Sequence, residues 1–233
     1  MQFYTKKTTI NWGKTIIAVL IPFMELFLSN FLAENIVKSM VGRQVMTVLI
    51  FTAGFLLAIY LYRDVLAKDW KVWRRHWIRN GLLAIVGVIV IMLILNYVRV
   101  GINKLGLVAG GGSLELLSIN SSLMMLFGSL TSLMAPFTEE IIFRHVLFYQ
   151  FKGRSWAMII MFFVQSIAFG LVHWNNFNGV IVQMIPYMFV GAFFGLVYYF
   201  SKNIWQSIMT HFLFDFMNFM GAVIVVVMQL INH

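Results

Sequence analysis

The sequence predicts an all-α protein, a polytopic bundle of transmembrane helices. Of its 233 residues, 61% are hydrophobic and 11% are charged, whereas soluble domains carry about 25% charged residues. The mean hydropathy is +0.87. Apolar stretches recur at lengths near 20 residues, roughly what a helix needs to cross the hydrocarbon core. Together these observations exclude an ordinary soluble domain.

Seven stretches have the length and composition of a membrane span. By residue number they are 15–32, 45–62, 81–98, 123–149, 156–173, 179–200 and 204–230. Two connections, 63–80 and 99–122, are expected to be flexible loops, the second because of its glycine run 110–112. We divide this one membrane domain into residues 1–121, with three spans and a basic loop, and residues 122–233, with four.

The basic residues predict the orientation of the bundle. With the N-terminus in the cytoplasm, 13 of the 17 Lys and Arg side chains fall inside, as the positive-inside rule requires. The other four are Lys38, Arg43, Arg99 and Lys104. The net charge of +9 is then explained by anionic lipid headgroups, and we expect no nucleic-acid partner. No small-residue cleavage site follows the first apolar stretch, so we expect a retained span.

Four acidic residues fall inside predicted spans: Glu25, Glu139, Glu140 and Asp215. A charge at the centre of a span costs about 2.5–3.5 kcal/mol on insertion scales, so such residues are candidates for function. Glu25 stands alone near Pro22, and we expect it to have a structural role. The chain has no cysteine, which excludes thiolate nucleophiles and cysteine-ligated metals.

The fourth stretch ends in a pair of adjacent glutamates. Glu140 and Arg144 are spaced i, i+4 and can pair on one helix face. Glu139 points about 100° away on a helix of 3.6 residues per turn, which leaves it without a local cation. A carboxylate in that position can hold a water molecule and accept its proton. The alternative is an ordinary intrahelical salt bridge.

Two further pairs lie in later spans. Phe169 and His173 share one helix face, and His211 and Asp215 are again spaced i, i+4. An aspartate at this spacing can orient the imidazole. Each element is ambiguous by itself, because a histidine at the end of a span is often interfacial and a His–Asp pair can simply hold helices together.

The ordered trio Glu139-Glu140-x-x-x-Arg144, Phe169-x-x-x-His173 and His211-x-x-x-Asp215 resembles the signature of one family of intramembrane peptidases. It is the CAAX protease and bacteriocin-processing family, called CPBP or Abi. The resemblance implies that the helical bundle encloses an embedded active-site cavity, in which a peptide bond is hydrolysed. The resemblance implies that Glu139 and His173 activate the attacking water. It also implies that His211 and Asp215 stabilise the oxyanion, while Glu140 and Arg144 shape the site.

Asp215 departs from the eukaryotic members, which have Asn there. An ionised Asp cannot donate a hydrogen bond to an oxyanion. Asp215 must therefore be protonated, orient His211 or bind a metal. No cofactor is certain, but zinc is possible, with His173, His211 and Glu139 as ligands. No His-Glu-x-x-His pair supports the metal, and we favour metal-free glutamate chemistry.

The predicted depths of these side chains in the membrane disagree with the expectation that they meet in one site. At 1.5 Å per residue from the preceding turns, Glu139 lies about 21 Å along its helix, His173 about 30 Å and His211 about 12 Å. Straight, upright helices would not bring them together. We therefore expect tilt, or a stretch at 154–157 that lies along the interface.

The sequence thus predicts an intramembrane endopeptidase in a bacterial plasma membrane, with membrane lipids and a peptide or membrane-protein substrate as partners. Bacteriocin self-immunity and peptide-signal maturation are the expected settings. One alternative is a non-catalytic immunity or regulatory protein that kept the motifs. Another is a proton-coupled carrier, although no internal repeat is evident.

Overall fold

The computed structural model describes residues 9–107 and 119–231, and this part of the chain is helical with no strand. The glycine run 110–112 and the basic Lys6 and Lys7 lie outside the described residues. Eight α-helices follow one another along the chain. They are α1 (Trp12–Asn35), α2 (Met40–Trp73), α3 (Trp77–Lys104), α4 (Ile119–Gly128), α5 (Leu130–Glu139), α6 (Ser155–Leu171), α7 (Ile181–Ser201) and α8 (Ile204–Ile231).

Four helical segments are long and apolar enough to cross a membrane: Trp12–Leu32, Met40–Lys104, Ile181–Ser201 and Ile204–Ile231. They contain or closely match five of the predicted spans, because Met40–Lys104 includes two. Helix α6 is apolar but only 17 residues long. Large apolar side chains on the outer faces are exposed, such as Leu82 on α3, as expected of surfaces that contact lipid tails. The chain is a multi-pass membrane protein, and the count of seven spans stays a prediction.

The fourth predicted span, 123–149, is not one helix. It divides into α4, α5, a π-helical segment at Glu140–Val146 and a 3₁₀ turn at Tyr149–Phe151. The hydroxyls of Ser129 and Ser132 donate to the carbonyls of Leu126 and Ser129, both at 2.6 Å. Such bonds compete with the helical ladder. Pro136 inside α5 removes a further backbone donor, so this stretch breaks where a uniform apolar run predicts a single helix.

The predicted loop 63–80 is also helical, and the prediction of a basic loop there was wrong. Helix α2 continues to Trp73, with a local kink at Tyr62, and a 3₁₀ turn joins it to α3. Tertiary contacts with the start of α8 explain why this stretch is helical. The centroid of the Trp70 ring lies 4.6 Å from that of the Trp205 ring. The Asp69 carboxylate accepts from the backbone N–H of Ile204 at 3.0 Å.

The π-helical segment Glu140–Val146 lies at the centre of the bundle. All of its side chains except that of His145 are buried. Ile141, Ile142 and Val146 join one apolar cluster with α1, α2, α7 and α8, and Phe143 joins a second with α3, α6 and α7. A segment that buries side chains in all directions must be surrounded by other helices. This position puts Glu140 and Arg144 in the interior.

Helices α6 and α7 pack closely because glycines face the partner helix. A Cβ at Gly170 would meet the backbone carbonyl of Met184 at 3.0 Å, and a Cβ at Gly191 would meet that of Ser166 at 3.0 Å. Small residues at such positions let transmembrane helices approach. The close contact holds the end of α6, from which His173 extends, against α7.

Candidate active site

Glu140 and Arg144 form a completely buried ion pair. The Arg144 Nε lies 3.3 Å from Glu140 Oε2, and both side chains have zero exposure. The guanidinium carbon lies 3.9 Å from the centroid of the Phe169 ring and 4.9 Å from that of Phe194. Aromatic faces attract a desolvated cation, and a buried charge without a partner would be costly. The ion pair is therefore stabilised in the interior by the aromatic rings that pack against its guanidinium group.

His211 is oriented by Glu140. Its Nδ1 lies 2.9 Å from Glu140 Oε1, and because an ionised carboxylate only accepts, Nδ1–H is the donor. The ring stacks on Phe194 at a centroid distance of 4.5 Å. Nε2 then faces Glu139 Oε2 at 3.9 Å and Asp215 Oδ2 at 3.5 Å. Arg144, Glu140 and His211 thus form a chain that fixes which nitrogen faces the two remaining carboxyl groups.

His173 lies in the turn after α6, two residues beyond the end of the helix. Its Nδ1 is 2.9 Å from the carbonyl oxygen of Phe169. A carbonyl can only accept, so Nδ1 carries the proton and Nε2 of the neutral ring is an acceptor. The ring packs against Phe169 and, at 4.6 Å between centroids, against Tyr187. The shared face expected of Phe169 and His173 is present, and it fixes the tautomer.

A cavity of about 450 Å³ connects these groups, and its lining includes Glu25, Glu139, His173, His211 and Asp215. Glu140 and Arg144 lie behind this lining. Glu139 keeps one-fifth of its side chain exposed, and its Oε2 has no hydrogen-bond partner among the described residues. It is therefore a free acceptor at the wall of the cavity.

The structure brings together all six residues that the motifs single out. Five of them (Glu139, Glu140, Arg144, His211 and Asp215) are linked by contacts of 3.9 Å or less, and His173 lines the same cavity as Glu139. Straight, upright helices were not expected to bring these groups together, and the chain between Glu139 and α6 is indeed not one straight helix. Residues 155–157 are the first residues of α6. Glu139 ends α5, and a π-helical segment and a 3₁₀ turn, not a continuous helix, separate it from α6.

Three contributions were missed in the sequence. Phe194 and Tyr187 support the imidazoles, and no spacing rule distinguishes them from the other aromatic residues of this chain. Glu25 was expected to be structural, but it lines the cavity together with Glu139 and His173. Only the packing of α1 against α2 and against the π-helical segment reveals this, because neighbours of a span are not encoded in its own periodicity.

The zinc ligands considered above do not form a set. No three His, Asp or Glu side chains of residues 9–107 and 119–231 are arranged to hold one ion. His211 Nδ1 is engaged by Glu140, so only its Nε2 could bind a metal, and a zinc site needs three protein ligands around one point. Zinc binding at this site stays a prediction.

Comparison with known proteins gives one distant relative and one family. An uncharacterized protein of Mycoplasma capricolum is 33% identical over 104 residues, which is 44% of this chain. The matched part spans only 28% of that relative's length. No solved structure matches. Residues 121–217, which carry all three motifs, match the family of Rce1-like type II CAAX prenyl endopeptidases, and this match confirms the resemblance that the motifs indicate.

Proposed function

We propose that this protein is an intramembrane endopeptidase that hydrolyses a peptide bond in a small peptide or membrane-associated protein, with water activated by Glu139 and His173. The observation that carries the proposal is the meeting of a free carboxylate and two imidazoles of defined tautomer at one cavity. The family match over residues 121–217 supports protease chemistry.

Glu139 and His173 supply the acceptors that the attacking water needs. Glu139 Oε2 has no donor among the described residues, and Nε2 of His173 is an acceptor because Nδ1–H is bonded to the Phe169 carbonyl. A water molecule held between two acceptors is aligned through both of its protons. Transfer of one proton to a positioned base typically accelerates a reaction 10²–10⁴-fold.

His211 and Asp215 supply the donors for the oxyanion. Glu140 occupies Nδ1 of His211, so Nε2–H of the imidazolium would face the cavity. Asp215 lies 3.5 Å from that atom and can donate as a neutral acid. Donors fixed before the reaction are worth more than mobile ones because no reorganisation is needed.

Part of the cavity lining belongs to the side of the membrane that we expect to be external. Asn30, Asn175 and Asn176 line the cavity, and all three lie at the outer ends of spans when the N-terminus is cytoplasmic. A bacterial plasma-membrane enzyme with this lining would meet secreted peptides. We propose bacteriocin self-immunity or peptide-signal maturation as its setting.

Three substitutions test this function: Glu139→Gln, His173→Ala and His211→Ala. Each should reduce cleavage by at least about 100-fold, since each removes an acid–base or oxyanion group. Cleavage of fluorogenic peptides by the purified chain in proteoliposomes and the cellular phenotype should be measured together. Asp64 and His76 are exposed, so Asp64→Asn and His76→Ala are matched controls that should retain full activity.

The results separate the alternatives. If all three variants keep the cellular phenotype at normal membrane levels, the protein acts as a non-catalytic immunity or regulatory protein. If chelators abolish cleavage and the purified chain contains one equivalent of zinc, the metal-free proposal is wrong. We expect activity to survive chelation, because the side-chain donors do not converge on one point.

A further inference from the structure

Glu25 is a buried acid in the first helix that the proposed reaction does not use. Its residue exposure is 7%, and its Oε1 has no hydrogen-bond partner among the described residues. It lines the same cavity as Glu139. An unpaired acid inside a membrane protein is costly and is by default a candidate for function.

Space for this carboxyl group is provided by Gly54 of α2. A Cβ at Gly54 would collide with Oε1 of Glu25, and Gly54 is itself buried. Glycine in a helix interior costs about 1 kcal/mol relative to alanine. The missing side chain therefore accommodates the carboxyl group where α1 meets α2, and apolar packing does not fill the site.

The charge of the lining favours a cation as the ligand. Glu25, Glu139 and Asp215 contribute three carboxyl groups, and no Lys or Arg of the described residues lines the cavity. The Arg144 guanidinium lies behind the wall, paired with Glu140. A cationic group beside Glu25 would find carboxylate acceptors and no Lys or Arg, because the proposed imidazolium of His211 is already surrounded by Glu139, Glu140 and Asp215. Complementary charge of this kind gives specificity.

The neighbouring lining can complete such a site. Ser29 and Asn30 of α1 and Thr47 of α2 line the same cavity. Asn30 also exchanges side-chain hydrogen bonds with Asn175, at 3.1 and 3.4 Å. This pair connects α1 to the turn that follows His173, so the helix that carries Glu25 contacts the segment that carries one of the proposed catalytic groups.

From this geometry we propose that Glu25 is a substrate-binding residue that recognises an amino or guanidinium group of the peptide to be cleaved. The inference rests on the proposed function and names the substrate class: peptides with a positive charge near the scissile bond. Helix α1 lies outside the segment 121–217 that matches the family. Cation recognition would therefore be a property of this chain's own N-terminal helices.

The test compares peptide pairs that differ in one charge. The full chain in proteoliposomes is given fluorogenic peptides with lysine or norleucine at each position beside the cleaved bond, each with a free or acetylated N-terminus. We expect the lysine or free-amine peptide to be cleaved with at least about tenfold higher kcat/KM, the scale of one desolvated charge pair. If replacing lysine by norleucine abolishes the preference, the recognised cation is a side-chain amine. If acetylation abolishes it, the recognised cation is the N-terminal amine.

Variants then assign the preference to Glu25. Glu25→Gln should remove it, Glu25→Asp should retain part of it, and Gly54→Ala should weaken it by displacing the carboxyl group. Phe27→Leu, on the exposed face of the same helix, is the control and should preserve it. A wild-type enzyme that cleaves both peptides of every pair equally, or a Glu25→Gln variant with undiminished preference, overturns the proposal.

A binding measurement keeps this test separate from catalysis. The Glu139→Gln variant should bind a labelled lysine peptide more tightly than its norleucine counterpart in fluorescence polarisation, and adding Glu25→Gln should abolish the difference. If the wild type cleaves nothing but the binding preference is present, the proposed function fails and the cation site stands. If binding shows no preference, the cation site fails whatever the cleavage assay gives.

Discussion

Two parts of this molecule contain closely spaced basic residues, and these residues differ in exposure: arginines are exposed in one part and buried in the other. In the helical stretch 63–79, Arg74 and Arg75 are exposed, where they can contact lipid headgroups. In the π-helical segment, Arg144 has zero exposure and is paired with Glu140. Arginine is thus an exposed charge in the first part and the buried partner of a carboxylate in the second. The comparison shows that burial and partners, more than residue type, decide which charges belong to the site.

The largest contrast is expected between Arg144→Met and Arg75→Met. Removing Arg144 leaves Glu140 buried without its cation, and breaking a buried pair costs about 3–5 kcal/mol. Arg75→Met should change stability by less than about 0.5 kcal/mol, as surface substitutions do. Thermal unfolding in detergent measures both effects.

A double substitution sharpens this result. Glu140→Gln with Arg144→Met removes both charges and should recover much of the lost stability. It should not recover cleavage, because His211 loses the carboxylate that orients it. Equal stability of Arg144→Met and the wild type would contradict the proposal that the buried Glu140–Arg144 pair stabilises the fold.

Asp215 gives the next largest effect, and it discriminates between two roles. Asp215→Leu should reduce kcat by about 100-fold, the usual cost of losing an oxyanion donor. Asp215→Asn should retain activity within about tenfold, because the amide also donates. Steady-state cleavage under saturating peptide measures both. If the Asn variant is as inactive as the Leu variant, Asp215 does not act as a neutral donor.

The smallest effect is expected in the basic stretch itself. Asp69 accepts a hydrogen bond from the N–H of Ile204 at the start of α8, so Asp69→Ala should cost about 1 kcal/mol, as the loss of a helix cap does. Cleavage per folded molecule should remain normal, since Asp69 does not line the cavity. Loss of activity without loss of stability would mean that this stretch contributes to the site.

The sequence predicts the membrane class and the helical fold, because long apolar stretches stand out. It also identifies six polar side chains that the structure brings together, because polar groups stand out against apolar spans. It fails where tertiary contacts override local composition. The stretch 63–80 looks like a charged loop, but contacts such as Trp70 with Trp205 order it as helix. The span 123–149 looks uniform, but hydroxyl groups and Pro136 break it.

The members of the candidate site could be proposed from the sequence, but the contacts between them could not. Spacing predicts that Asp215 orients His211, whereas Glu140 from the central segment holds Nδ1 at 2.9 Å. Glu25 could not be assigned to the cavity at all, since its partner Gly54 lies on another helix. Local periodicity identifies the faces of a helix, and only packing identifies what those faces contact.

The central claim is that Glu139 and His173 act on one water molecule, and a double-mutant comparison tests it most directly. Single-turnover cleavage should be measured for Glu139→Gln, His173→Ala and the double variant in proteoliposomes. Residues that act as a unit are strongly non-additive, so the double variant should be no more than about threefold slower than the slower single variant. Losses that multiply in the double variant, or substantial cleavage by Glu139→Gln, would contradict the account.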